Sequence, residues 1–158
     1  MMIKKIFPWI LFVTFFVLLI IGFSSRDQMN KYASTMMQKQ ASAATIYAGQ
    51  TLIDSLYNYR QTNLDYRITF LEFGSTGCSA CRKMETVMGI IKSKYTNSVN
   101  VVFRNVSEKE NLELMKYYGI ASIPTQIFLD EKGKEVFRHT GYISADDIEI
   151  NVLNKNIY

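Results

Sequence analysis

Cys78-Ser79-Ala80-Cys81 contains both cysteines of this chain. Two thiols three residues apart at the start of a helix can close into a disulfide and open again. That supports exchange chemistry: one sulfur attacks the disulfide of a partner, and the other releases the mixed disulfide. A static structural bridge is the duller reading, but so short a closed loop constrains the unfolded chain little. A zinc site would need more ligands, and the chain has no second cysteine pair and one histidine, His139. No metal and no cofactor is expected.

The elements around the pair must hold it at an exposed edge. Ile68-Thr69-Phe70-Leu71-Glu72-Phe73 is a nearly continuous apolar run, the pattern of a strand buried on both faces. Gly74-Ser75-Thr76-Gly77 turns the chain, and residues 79–95 read as a helix with Met84, Val87, Met88 and Ile91 facing inward. A second strand is expected over 99–106. Ser107, with Glu108 and Glu110 behind it, is expected to start a helix that ends at Gly119. Residues 125–129 and 135–139 flank the hairpin turn Asp130-Glu131-Lys132-Gly133, and Ser144 caps a last helix towards Leu153. Upstream, Leu52, Ile53, Leu56 and Tyr59 recur at helical spacing. The order from residue 50 is α, β, α, β, α, β, β, α. It implies an α/β domain with a central mixed β-sheet, a βαβ crossover and an antiparallel edge pair, flanked by helices.

The N-terminal third has a different character. Residues 1–63 carry six Lys/Arg against two Asp/Glu, whereas residues 64–158 carry twelve of each. The basic balance therefore belongs to the N-terminal part, and a nucleic-acid partner is not expected, since that would need a basic face on the folded part. Lys4 and Lys5 precede an uncharged run from Ile6 to Phe23. Eighteen helical residues span roughly 27 Å, against a hydrocarbon layer of roughly 30 Å. The run exceeds the h-region of a cleaved signal, about 7–15 residues. Trp9 and the lysines mark a cytoplasmic boundary, which puts the rest of the chain outside. Residues 1–24 are accordingly read as a signal anchor, an N-terminal transmembrane helix, with secretion after cleavage near Gly22-Phe23-Ser24 as the alternative. Residues 25–48, rich in Gln, Ser, Ala, Thr, Met and Lys and without a continuous apolar face, read as a tether. Residues 49–158 read as the folded domain.

Three motifs make this domain resemble the thioredoxin family. They are Leu71-Glu72-Phe73-Gly74-Ser75-Thr76-Gly77-Cys78-Ser79-Ala80-Cys81, with an acid six residues before the first cysteine; Tyr118-Gly119-Ile120-Ala121-Ser122-Ile123-Pro124-Thr125; and the 130–135 hairpin with Gly141 after it. The resemblance covers about residues 50–155 and implies a thioredoxin-like fold. It implies a cis bond before Pro124, with Ile123, Pro124 and Thr125 bordering the substrate groove. It also implies that Glu72 takes the proton of the resolving thiol, a role that suits a buried carboxylate of raised pKa. Cys78 is assigned as the nucleophile, its thiolate favoured by the N–H groups and dipole at the helix N-terminus and by Arg82. Cys81, one turn deeper, is the resolving thiol and its partner in a redox-active disulfide. The chain departs from the family in having Gly77 where a Trp is common, Ser79-Ala80 for the usual Gly-Pro, and a glutamate for the usual aspartate at 72.

The expectation is a membrane-anchored, monomeric thiol–disulfide oxidoreductase: a protein-disulfide reductase on the extracytoplasmic side, periplasmic or cell-surface. Its substrates would be protein disulfides, and its electrons would come from an integral-membrane donor, because the cytosolic reductants lie across the membrane. A disulfide-introducing oxidase and a non-catalytic binding module that uses the groove beside Pro124 are the alternatives.

Overall fold

The apolar run at 68–73 becomes the middle of the sheet. In the computed structural model, which describes residues 3–24 and 26–157, β1 (Ile68–Gly74) is buried at every position. It pairs in parallel with β2 (Val99–Asn105) and antiparallel with β3 (Thr125–Asp130), and β3 pairs with β4 (Glu135–Thr140). The strand order is β2-β1-β3-β4. Helix α5 (Ser79–Lys94) makes the crossover from β1 to β2. This is the mixed, helix-flanked α/β sheet that the alternating pattern implies.

Side chains alternate across the sheet with period two, so each strand feeds two cores. Ile68 and Phe70 pack with Met84, Val87 and Ile91 of α5 on one face. Leu71 and Phe73 pack on the other face with Ile53, Tyr57, Leu114 and Tyr118, from α3 (Ala43–Tyr57) and α6 (Leu112–Tyr118). Gly133, at φ +78°, closes the β3–β4 turn, where Asp130 Oδ1 accepts from the N–H groups of Lys132 and Lys134 at 2.9 Å each. At the C-terminus Ser144 caps α7 (Ala145–Ile148), its hydroxyl accepting from Asp147 N at 3.1 Å. A π-helical turn, Glu149–Leu153, and a short α8 (Asn154–Asn156) follow.

Two expectations change, and one segment takes on regular structure. The segment read as a tether, residues 25–48, is helical over most of its described length. Within that range α2 (Arg26–Gln40) and the first turns of α3 are helical. Helix α2 docks through a small contact: buried Ser34 donates to Tyr118 O at 3.2 Å and accepts from Arg138. Gly119, at φ +58°, permits the approach, since a Cβ there would sit 2.4 Å from Ser34 O. A contact made by one serine and a glycine leaves no apolar stripe for a sequence to reveal.

The upstream helix also faces differently from its spacing. It starts at Ala43, behind an N-cap at Ser42, and buries Gly49, Ile53 and Tyr57, while Leu56 stays 42% exposed. It ends at Tyr57, so Tyr59 belongs to a separate turn, α4 (Tyr59–Thr62). Ser107 likewise starts no helix. Its N–H donates to Asn105 Oδ1 at 3.1 Å, and a 3₁₀ turn at Lys109–Asn111 precedes α6.

Gly49 is where α3 meets α6, since a Cβ there would lie 2.5 Å from the Tyr117 ring. Alanine improves intrinsic helix propensity by about 1 kcal/mol, but overpacking typically costs about 1–3 kcal/mol. Gly49→Ala is therefore expected to lower stability by up to about 2 kcal/mol in urea unfolding. A gain in stability would show that the Tyr117 ring yields freely.

At the N-terminus α1 spans Ile3–Ser24, and its side chains from Leu11 to Ile21 are exposed. Among the described residues no helix is long and apolar enough to cross a membrane. Met1, Met2 and the side chains of Lys4 and Lys5, which carry part of the anchor expectation, lie outside the described residues.

Candidate functional site

β1 delivers the chain to the sheet end at Gly74, and the next turn sets up the helix. Cys78 N donates to Ser75 O at 3.1 Å, and Gly77 N donates to Ser75 Oγ at 3.3 Å. Cys78 is the N-cap of α5, with extended backbone (φ −87°, ψ 121°), and its sulfur accepts from Cys81 N at 3.2 Å. A thiol thus stands where serine or aspartate usually caps a helix, satisfying an otherwise orphan N–H. Cys78 is half-buried and Cys81 is 2% exposed. A Cβ at Gly74 would be 3.3 Å from Cys81 Sγ, so the deeper thiol rests on the end of β1.

The two thiols are pushed apart electrostatically. Cys78 is lowered, first by its hydrogen bond with the Cys81 thiol, then by the N–H groups of Cys81 and Ala80 and by the charge of Arg82. Cys81 is pushed up to about 11 by burial, with the Cys78 hydrogen bond and the charges of Cys78 and Glu72 adding to it. Of the two sulfurs Cys78 is therefore the readier to ionise, and at neutral pH the buried Cys81 keeps its proton.

Glu72 lies on the same face of β1 as Phe70, the face that carries α5, and is 0% exposed. Burial pushes its carboxyl up to about 8, Gln126 pulls the other way, and the charge of Cys78 raises it further. Neither carboxylate oxygen has a hydrogen-bond partner among the described residues. Glu72 is therefore not a surface glutamate at the edge of the sheet. β1 is central and its glutamate is enclosed.

The Ile123–Pro124 peptide bond is cis. β3 begins at Thr125 beside Phe73, one residue before the end of β1, so Ile123, Pro124 and Thr125 lie at the sheet end from which Cys78 departs. Pro124 O accepts from Gly141 N at 2.8 Å, and Thr125 Oγ1 donates to Ser122 O at 2.7 Å, which ties this loop to the end of β4. Ile123 is half-buried, and Pro124 and Thr125 are buried. His139 is a strand side chain, with Nε2 3.1 Å from Tyr142 O. One residue of the site escaped the sequence reading. Gln126, fully buried, sits directly across the ladder from Glu72. The available signal was a lone amide in the otherwise apolar stretch Ile127-Phe128-Leu129 that it precedes.

A mixed sheet with a cysteine pair at the N-terminus of its crossover helix and a cis-proline loop beside it defines a dithiol protein of thioredoxin architecture. Residues 56–155 match the thioredoxin-like domain family, and the chain belongs to that family. It is 29% identical over 91 residues to the thiol:disulfide interchange protein TxlA homolog of Synechocystis sp., a match that covers 58% of this chain and 48% of that protein. It is 29% identical over 101 residues to a chloroplastic thioredoxin-like protein of Arabidopsis thaliana, covering 64% and 39%. Among solved structures, a thioredoxin from Nicotiana alata superimposes with a TM-score of 0.52 at 27% identity, over 68% of this chain and 84% of that one. The chain spans about half the length of the first of these curated relatives and less of the second.

Proposed function

We propose that this protein is a thiol–disulfide oxidoreductase that reduces disulfides of other proteins, with Cys78 as nucleophile, Cys81 as resolving thiol and Glu72 as proton acceptor. The opposite displacement of the two thiols carries the reading: Cys78 lowered where it caps a helix N-terminus, Cys81 buried and pushed up to about 11. The Cys78 thiolate attacks a substrate disulfide, forming one S–S bond and expelling one substrate sulfur as a thiolate. Cys81 gives its proton to Glu72 and attacks Cys78 Sγ. The mixed disulfide breaks, the second substrate sulfur leaves, and the Cys78–Cys81 disulfide holds the two electrons' worth of oxidation. Ile123, Pro124 and Thr125 border the groove in which the substrate segment lies.

The reducing direction is favoured over disulfide introduction because the buried Glu72 and the isoleucine before Pro124 resemble the reducing members of the family. A strongly oxidising dithiol owes its poise to a stabilised reduced form, so the reduction potential separates the two directions. The potential is expected nearer roughly −270 mV than roughly −120 mV. The uncharged run Ile6–Phe23 and the exposed apolar side chains of α1 support residues 1–24 as an anchor, with the domain on the extracytoplasmic side and an integral-membrane donor resupplying electrons.

Cells carrying the Cys81→Ala chain are expected to accumulate mixed disulfides joined through Cys78, visible as reductant-sensitive bands that Cys78→Ala removes. If none form while the variant is folded and present, exchange is lost as a function and a non-catalytic binding module takes its place.

A further inference from the structure

Glu72 is a buried carboxyl that must exist in two charge states if it takes and returns a proton, and an enclosed group needs a partner that can serve both. Its surroundings offer few. Facing it are Cys78 and Cys81 from α5, the apolar Phe103 beside it on β2, and Gln126 directly opposite on β3, with His139 next to Gln126 on β4. His139 points its Nε2 at Tyr142 O. Cys81 is the proton source and Cys78 is in the disulfide being broken, so Gln126 is the neutral polar group left to the acid.

We propose that Gln126 is a positioning residue that holds Glu72 through both of its protonation states, a role that rests on the reading of Glu72 as the proton acceptor. Gln126 is fully buried, and its Nε2 donates to Gly141 O at 3.1 Å, which anchors the carboxamide to the segment joining β4 to α7. Its Oε1 has no partner among the described residues, and neither has either oxygen of Glu72 across the ladder. Directly opposed side chains on an antiparallel pair have Cβ atoms about 4.5–5.5 Å apart, within reach for a glutamate and a glutamine. A carboxamide is both donor and acceptor. To the protonated acid it presents Oε1, and to the carboxylate it presents its second N–H.

As the proton leaves Cys81 Sγ for Glu72, Cys81 attacks Cys78 Sγ and the substrate sulfur departs with the bonding pair. The acid then changes from acceptor to donor, and Gln126 changes from donor to acceptor without any side chain crossing the core. Hydrogen bonds to an ionised group are stronger than neutral ones, so the amide favours the carboxylate overall.

The test uses the full chain in detergent micelles, reduced, with ¹³C-labelled glutamate. The Glu72 carboxyl signal is assigned by its loss in Glu72→Gln and is followed with pH. In Gln126→Leu the titration is expected to move up by about one unit. Gln126→Met, which keeps the length of the side chain and loses only the amide, is expected to do the same, so a cavity cannot account for the shift. Resolution of a preformed Cys78 mixed disulfide should change its pH profile in parallel. A Glu72 that titrates at the parent pH in either folded variant overturns the proposal. Failure of the underlying reading shows separately, as a Glu72→Gln protein that resolves the mixed disulfide at the parent rate.

Discussion

Glu72→Gln is expected to make the reduced protein more stable at pH 8 and, at the same time, a poorer catalyst. In the unfolded chain the carboxyl titrates near 4.5, and in the fold it is pushed up to about 8. Between those values the folded state holds a proton that the unfolded state has released. The stabilisation is complete below about 4.5 and is lost as pH rises through 8, at about 1.4 kcal/mol per pH unit. Glutamine stays neutral throughout and escapes that loss. Urea unfolding at pH 4.5 and pH 8 is therefore expected to show the variant behind by about 1 kcal/mol at the lower pH, for the buried amide's own unmet hydrogen bonds, and ahead by about 2–4 kcal/mol at the higher. Titration of the two cysteines is present in both proteins and cancels in the comparison except for their coupling to the Glu72 charge. Equal losses in both proteins would mean that Glu72 is ionised in the fold. In insulin reduction the same variant is expected to slow release of the mixed disulfide by about 10²-fold at neutral pH, the lower end of what a positioned general base contributes.

The second large effect is a difference in reactivity between two thiols three residues apart. The thiolate is the nucleophile, so alkylation follows the thiolate fraction and access. Cys81, held at about 11 and 2% exposed, is ionised at pH 7 only to about one part in 10⁴. Cys78 is lowered and partly open to solvent. Brief treatment of the reduced protein with iodoacetamide at pH 7 is expected to label Cys78 at least 10²-fold faster than Cys81, on the order of the difference in thiolate fraction, read by peptide mass spectrometry. Unfolding in urea should abolish the preference. Comparable labelling of both thiols in the folded protein would mean that the helix N-terminus and the burial do not divide their roles, and the assignment of nucleophile and resolver would fall.

Much of this site is legible because its chemistry is local. A cysteine that caps a helix is bonded to an N–H three residues on, so the spacing 78–81 and the turn before it already contain the geometry. The central strand is equally plain, since seven buried positions in a row force a nearly unbroken apolar run in which Glu72 stands out. The hairpin at 130–133 and the Ser144 cap are likewise written in single turns of chain.

The parts that escaped are those made between distant segments. Helix α2 docks through Ser34, Tyr118 O, Arg138 and the bare backbone at Gly119, a contact without an apolar stripe and more than eighty residues apart in the chain. The inner face of α3 is set by Gly49 because the Tyr117 ring fills the space a side chain would take, so the smallest residue marks the closest packing. Gln126 gains meaning only from the register that sets it opposite Glu72.

The chain's order of residues determined the reactive pair, the strand that carries it and the acid beneath it, since each depends on neighbours within a few residues. Tertiary structure decided how deep Cys81 and Glu72 lie, which groups face them and which partners they lack. Those are properties of the enclosing volume, and a carboxyl or a thiol takes its proton affinity from the water and charge around it rather than from its place along the chain.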